Sequence, residues 1–175
     1  MQSLSWSNSV GLGPGIVCAI LAAANPPAAA EETTVSATEV CELLGNAEVE
    51  RVTGQKMYNE PTPMSLKGGA GALCGFDNAQ VIVFTGKNSK RLWSSLLEGF
   101  GYGSVQNHRV PDLGDGAYSF YYVPENKYQD AGTFIVVSNN ERTFAVSVAA
   151  EEGQPAQSTE AKAIELAKIV MTKLP

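Results

Sequence analysis

Apolar and polar positions along this chain fall into short runs that switch between a helical period and a strand period. Ala37, Val40, Cys41 and Leu44 recur at i, i+3, i+4 and i+7, which puts them on one face of a helix. Ser36-Ala37-Thr38-Glu39 ahead of that face has the form of a capping box. Val35 and Val40 sit at the two positions of a hydrophobic staple, and Gly45 follows the last apolar residue. Residues 47–57, with Val49, Val52 and Met57 apolar, lean toward strand. Pro61-Thr62-Pro63 through Gly68-Gly69-Ala70-Gly71 is too rich in Gly and Pro for anything but loop. Leu73, Cys74 and Phe76 mark a strand turning at Asp77-Asn78, and Val81-Ile82-Val83-Phe84 reads as a buried strand ending at Gly86.

A second helix is expected from Asn88 or Ser89, with Leu92, Trp93, Leu96, Leu97 and Phe100 as its stripe. Residues 104–110 are weakly strand-like, and Pro111-Asp112-Leu113-Gly114-Asp115-Gly116 is a turn cluster. Residues 118–123 form a strand on pattern. Thr133–Ser138 and Thr143–Val148, joined around Asn139-Asn140, alternate with period two and read as a hairpin. Ser158 is expected to cap a final helix whose apolar side carries Ile164, Leu166, Ala167, Val170 and Met171. Consecutive strands with short turns imply a single antiparallel sheet with helices packed against it. The fold class is α+β, in the order helix, strands, helix, strands, helix.

Composition adds a boundary. The chain is 44% hydrophobic and 17% charged, which suits one globular domain. Residues 1–30 nevertheless contain no Asp, Glu, Lys, Arg or His. Ile16 to Ala24 has the length of a signal-peptide core and is far short of a membrane span of about 20 residues. Pro26-Pro27 breaks it, and Ala28-Ala29-Ala30 offers the small residues a signal peptidase reads. Residues 1–30 are therefore expected to be a signal peptide and 31–175 a single α+β domain, exported to the periplasm or beyond the cell. The leader departs from pattern in lacking a basic side chain; a mis-chosen start codon and an unstructured tail on a non-exported chain are the competing readings. Val17 precedes Cys18 where a lipid-attachment signal wants a small residue.

The 12 basic and 18 acidic residues all follow position 30 and give a net charge of −6, which argues against nucleic acid as a partner. No transmembrane span is expected in the mature chain. Cleavage would remove Cys18 and leave Cys41 and Cys74, an even pair that reads as a disulfide in an exported protein, with two buried free thiols as the alternative.

His108 is the only histidine, so a hydrolase or transferase mechanism would have to use it, with Asp112 or Asp115 as the acid. No Gly-x-Ser-x-Gly, Ser-x-x-Lys or Cys-x-x-Cys occurs. Asp112 and Asp115 are too few oxygens for an EF-hand, so no metal site and no cofactor are expected. Gly68-Gly69-Ala70-Gly71 opens a strand rather than a helix, the wrong context for a dinucleotide loop. Lys87, Lys90 and Arg91 stand where a strand turns into a helix start, a place that can hold an anion. Tyr118, Phe120 and Tyr122 share a core-facing side of their strand, whereas Tyr121 points the other way and with Tyr128 or Tyr102 makes a candidate contact patch. Helix coverage explains Tyr121 equally well.

Cys41-Glu42-Leu43-Leu44-Gly45, Cys74-Gly75-Phe76, the turn Val110 to Ala117 and an Ala- and Leu-rich terminal helix together resemble a group of bacterial exported domains of unknown function, common among small actinobacterial envelope lipoproteins. The resemblance spans residues 35–174. It implies a disulfide and an envelope location, and it transfers no catalytic residue. The resulting expectation is a non-catalytic exported binding or accessory domain touching an envelope protein or small ligand. The hydrolase or transferase built on His108 is the alternative.

Overall fold

The structure is a computed structural model that describes residues 35–85, 106–122, 131–139 and 142–174. The expected signal peptide, Cys18, the second helix, Lys87, Lys90, Arg91, Tyr102 and Tyr128 lie outside those residues.

The first helix, α1 (Ala37–Glu42), starts as its capping box dictates. Glu39 N donates to Ser36 Oγ at 3.2 Å and Ser36 N donates to Glu39 Oε2 at 2.7 Å. The next segment corrects the strand reading of residues 47–57: Asn46–Thr53 is a second helix, α2. Val49 and Val52, three apart, both turn into the core. Glu48 reaches back to accept Gly45 N at 2.9 Å, and Gly54 ends the helix in the left-handed region at φ 73°. The period of three decided the matter over β-branched composition.

Among the described residues seven strands follow: β1 (Thr62–Ser65), β2 (Gly71–Gly75), β3 (Ala79–Phe84), β4 (Gln106–Val110), β5 (Gly116–Tyr122), β6 (Gly132–Asn139) and β7 (Arg142–Ala149). They form one antiparallel sheet in the order β1-β2-β3-β7-β6-β5-β4. The single antiparallel sheet with helices on it is thus the α+β class the pattern implied. β1 corrects the loop reading of residues 61–71. Pro is tolerated there because β1 is an edge strand with one unpaired side. Between β1 and β2 the chain makes a 3₁₀ turn at Lys67–Gly69.

The β6–β7 hairpin has the predicted strands but not a wet face. Register pairs Ile135 with Val146 and Val136 with Ala145, and all four are fully buried. Ile135, Val137, Phe144, Val146 and Val148 belong to the core beneath the helices. Phe134, Val136 and Ala145 join Phe84 and Phe120 in a second apolar cluster.

A 3₁₀ turn (Ala156–Thr159) leads into the last helix, α3 (Glu160–Lys173). Its N-cap is Thr159, not Ser158, which is exposed. The buried Thr159 Oγ1 turns inward, within hydrogen-bond distance of Val148 O (3.1 Å), Ala156 O (3.0 Å) and Thr133 Oγ1 (3.1 Å). Satisfying buried strand and turn oxygens outweighed capping the helix. Ala163, Leu166, Ala167 and Val170 pack onto β6 and β7. Arg51–Glu165 at 2.8 Å and Lys173–Glu48 at 2.7 Å tie α2 alongside α3. The Cys41–Cys74 disulfide, with a Cα–Cα distance of 5.0 Å, fastens α1 to β2.

Candidate functional site

The sheet topology brings together three residues with chemistry. His108 lies on the edge strand β4, Tyr121 on its neighbour β5, and Glu160 in the first turn of α3. Register places His108 opposite Ser119, so His108 and Tyr121 are diagonal neighbours on the helix-covered face. Their ring centroids are 5.6 Å apart and tilted by 46°. The Tyr121 hydroxyl donates to Glu160 Oε2 at 2.7 Å. His108 Nε2 stands 2.8 Å from Glu160 Oε1, an ion-pair distance, although no donor is aligned on that buried oxygen. Glu160 also sits where the helix dipole favours a negative charge.

Burial pushes the Tyr121 phenol up to about 12, helped by its hydrogen bond to Glu160 and that carboxylate's charge and opposed by the Ser119 hydroxyl. The phenol is therefore a hydrogen-bond donor at neutral pH. An activated base would need the opposite shift.

His108 does have an acid partner, and it is Glu160 rather than Asp112 or Asp115. Those two belong to the β4–β5 turn, where Asp112 adopts φ 56°. No sequence motif links His108 to a helix that begins after three further strands, so pattern could not find the pair. The hydroxyl nearest His108 in the register is Ser119, which is fully buried and has no well-aligned hydrogen-bond partner. A nucleophile must meet substrate, and this one is sealed in the sheet. Among the described residues no group of three or more His, Cys, Asp or Glu could hold a metal ion, and no helix is long and apolar enough to cross a membrane.

A second feature escaped the sequence pattern altogether. Tyr58 is 81% exposed and Met64, on β1, is 54% exposed, the two large hydrophobic residues left most open to solvent among the described residues. The loop carrying Tyr58 is nonetheless tightly held. Asp77 Oδ2 accepts Tyr58 N at 2.7 Å, Asp77 Oδ1 accepts Asn59 Nδ2 at 2.7 Å, and Asn59 O accepts Asn46 Nδ2 at 3.2 Å. Met57 N donates to Glu50 Oε1 at 2.8 Å and the Met57 side chain is buried. The bonds from Tyr58 and Asn59 hold the Asp77 carboxyl below the usual range, the backbone bond from Tyr58 contributing most. The Lys56 ammonium stands 5.7 Å from the Tyr58 ring centroid.

No known family matches the sequence, and no curated protein does. One solved structure, that of a GTP binding regulator from Thermotoga maritima, is similar to this chain at 14% identity. The likeness covers 74% of this chain and 86% of that one with a TM-score of 0.35.

Proposed function

We propose that this chain is an exported binding or accessory domain of the cell envelope that docks a partner through the loop carrying Tyr58. The observation that carries the reading is an aromatic side chain exposed on a backbone fixed from both sides by Asp77, Asn46 and Glu50. A rigid aromatic anchor loses little conformational freedom on binding, which is why such residues dominate contact energies. The Cys41–Cys74 disulfide supports an oxidising compartment, and the charge-free residues 1–30 supply the route there. The resemblance to exported envelope domains points the same way.

Photo-crosslinking from position 58 in intact cells tests the reading. One defined adduct is expected, lost on competition with unlabelled protein and weakened when Asp77→Ala frees the loop. Adducts that are absent, or as strong from an exposed position on α3, would count against it. Intact-mass analysis of the native protein tests the location. Loss of residues 1–30 and two sulfurs resistant to alkylation without reductant are expected.

A further inference from the structure

A cavity of about 170 Å³ opens beside the start of α3, lined by Gln55, Glu151, Gln154, Ser158, Thr159 and Lys162 among others and by neither His108 nor Tyr58. Its walls carry opposite charges that do not close on one another. The oppositely charged Lys or Arg and carboxylate pairs in contact among the described residues are Arg51–Glu165 and Lys173–Glu48, so Glu151 and Lys162 line the cavity without pairing with each other. Each is held by a neutral neighbour instead. Lys162 Nζ donates to Thr53 O at 2.7 Å, which orients the ammonium and leaves two of its three protons. Glu151 Oε1 accepts from Gln55 Nε2 at 3.0 Å, and Gln55 is itself pinned by a hydrogen bond from Asn78 Nδ2.

We infer that this cavity binds a small zwitterion, an α-amino acid of about six heavy atoms. Size and charge both lead there. A sealed cavity of about 150 Å³ is enough to take a six-carbon ring, so 170 Å³ has room for glycine or alanine. The ligand's ammonium faces Glu151 and its carboxylate faces Lys162, with the Ser158 hydroxyl beside it and Ala149 receiving the short side chain. Two charges held only by neutral groups then complete their shells with one molecule that carries both complements, which a simple anion or cation cannot do. The site deepens the binding reading by adding a ligand; Gln55 in its wall lies three residues before Tyr58 on the same loop, but Glu151, Ser158 and Lys162 come from the far end of the chain.

The test is titration of the isotope-labelled full chain with glycine and L-alanine, read at the backbone amides of Gln55, Ser158 and Thr159. Saturable shifts are expected, with acetate or methylammonium alone at least about tenfold weaker. Glu151→Gln, at an exposed position, should weaken glycine about tenfold with the fold intact, and Lys162→Met should do the same. No saturable shift, acetate binding as tightly as glycine, or unchanged affinity in Glu151→Gln would overturn the assignment. A crosslinked partner from position 58 is read independently, so failure here leaves the docking surface standing, and failure there leaves this site standing.

Discussion

Tyr121 shows how one contact fixes a residue's chemistry. Its phenol is neutral and donating because burial and the Glu160 carboxylate both oppose its ionisation. A group whose folded pKa is raised contributes stability that is complete below its ordinary value of 10.0 and is lost as the pH climbs toward about 12. Alkaline unfolding of the native chain should therefore show a loss of stability across that window, and Tyr121→Phe should remove most of it; matched urea titrations at successive pH values measure the difference. Gly114 is held for a different reason. It lies at φ 60°, and a Cβ there would stand 2.5 Å from Ser138 O and 2.9 Å from Val137 Cγ1. Gly114→Ala should cost about 2 kcal/mol, because backbone strain adds to a clash with strand oxygen that cannot swing aside. Chemical denaturation of the variant reads this directly.

The elements are individually weak and depend on their attachments. α1 is 6 residues long, too short to persist alone, and is kept by its capping box and by the Cys41–Cys74 bridge to β2. That bridge closes a separation of 33 residues, so Cys41→Ser with Cys74→Ser should lower stability by about 3–4 kcal/mol in the chain-entropy account. Thermal unfolding with and without reductant checks the figure, and the reduced native chain should match the double variant. The sheet's two edges differ in kind. β1 carries Pro63, which has no N–H to offer an added strand, while β4 carries Asn107, His108 and Arg109, all exposed. Edge protection at β1 leaves Tyr58 and Met64 nearby to act through side chains rather than through strand addition.

At the scale of the molecule, one sheet buried at its centre on both faces supports everything else. Phe144 is fully buried and paired in register between Val83 and Val137. Phe144→Ala should cost about 3–5 kcal/mol, because neighbours on two strands and a helix cannot collapse into the space; urea unfolding measures it. The helix layer is held at its rim by carboxylates. Glu48 is lowered first by its hydrogen bond to Lys173, and Asp77 first by the backbone of Tyr58. Groups with depressed folded pKa values contribute stability above their ordinary values of 4.5 and 3.8 and lose it as pH falls through the folded values. The unfolding midpoint should hold from neutral pH to about pH 5 and drop below about pH 4, with Lys173→Met showing a shallower drop.

Local physics alone determined α1, its cap, the β2–β3 and β6–β7 strands and the α+β class, since each rests on side chains within a few residues of one another. Cys41 and Cys74 could be matched because only two cysteines remain once residues 1–30 are set aside. α2 is hard to read locally because two β-branched valines three apart are a short signal, and the groups that reinforce it, Glu48 on Gly45 and the left-handed Gly54, are caps rather than pattern. The edge strand β1 is not legible in the pattern because Pro and Gly forbid a central strand but not an edge. Thr159, the pairing of His108 with Glu160, the pinning of Tyr58 by Asp77 and the facing of Glu151 and Lys162 were decided only by tertiary structure. Each joins residues far apart in the chain, and strand order, which no local periodicity encodes, sets which of them meet.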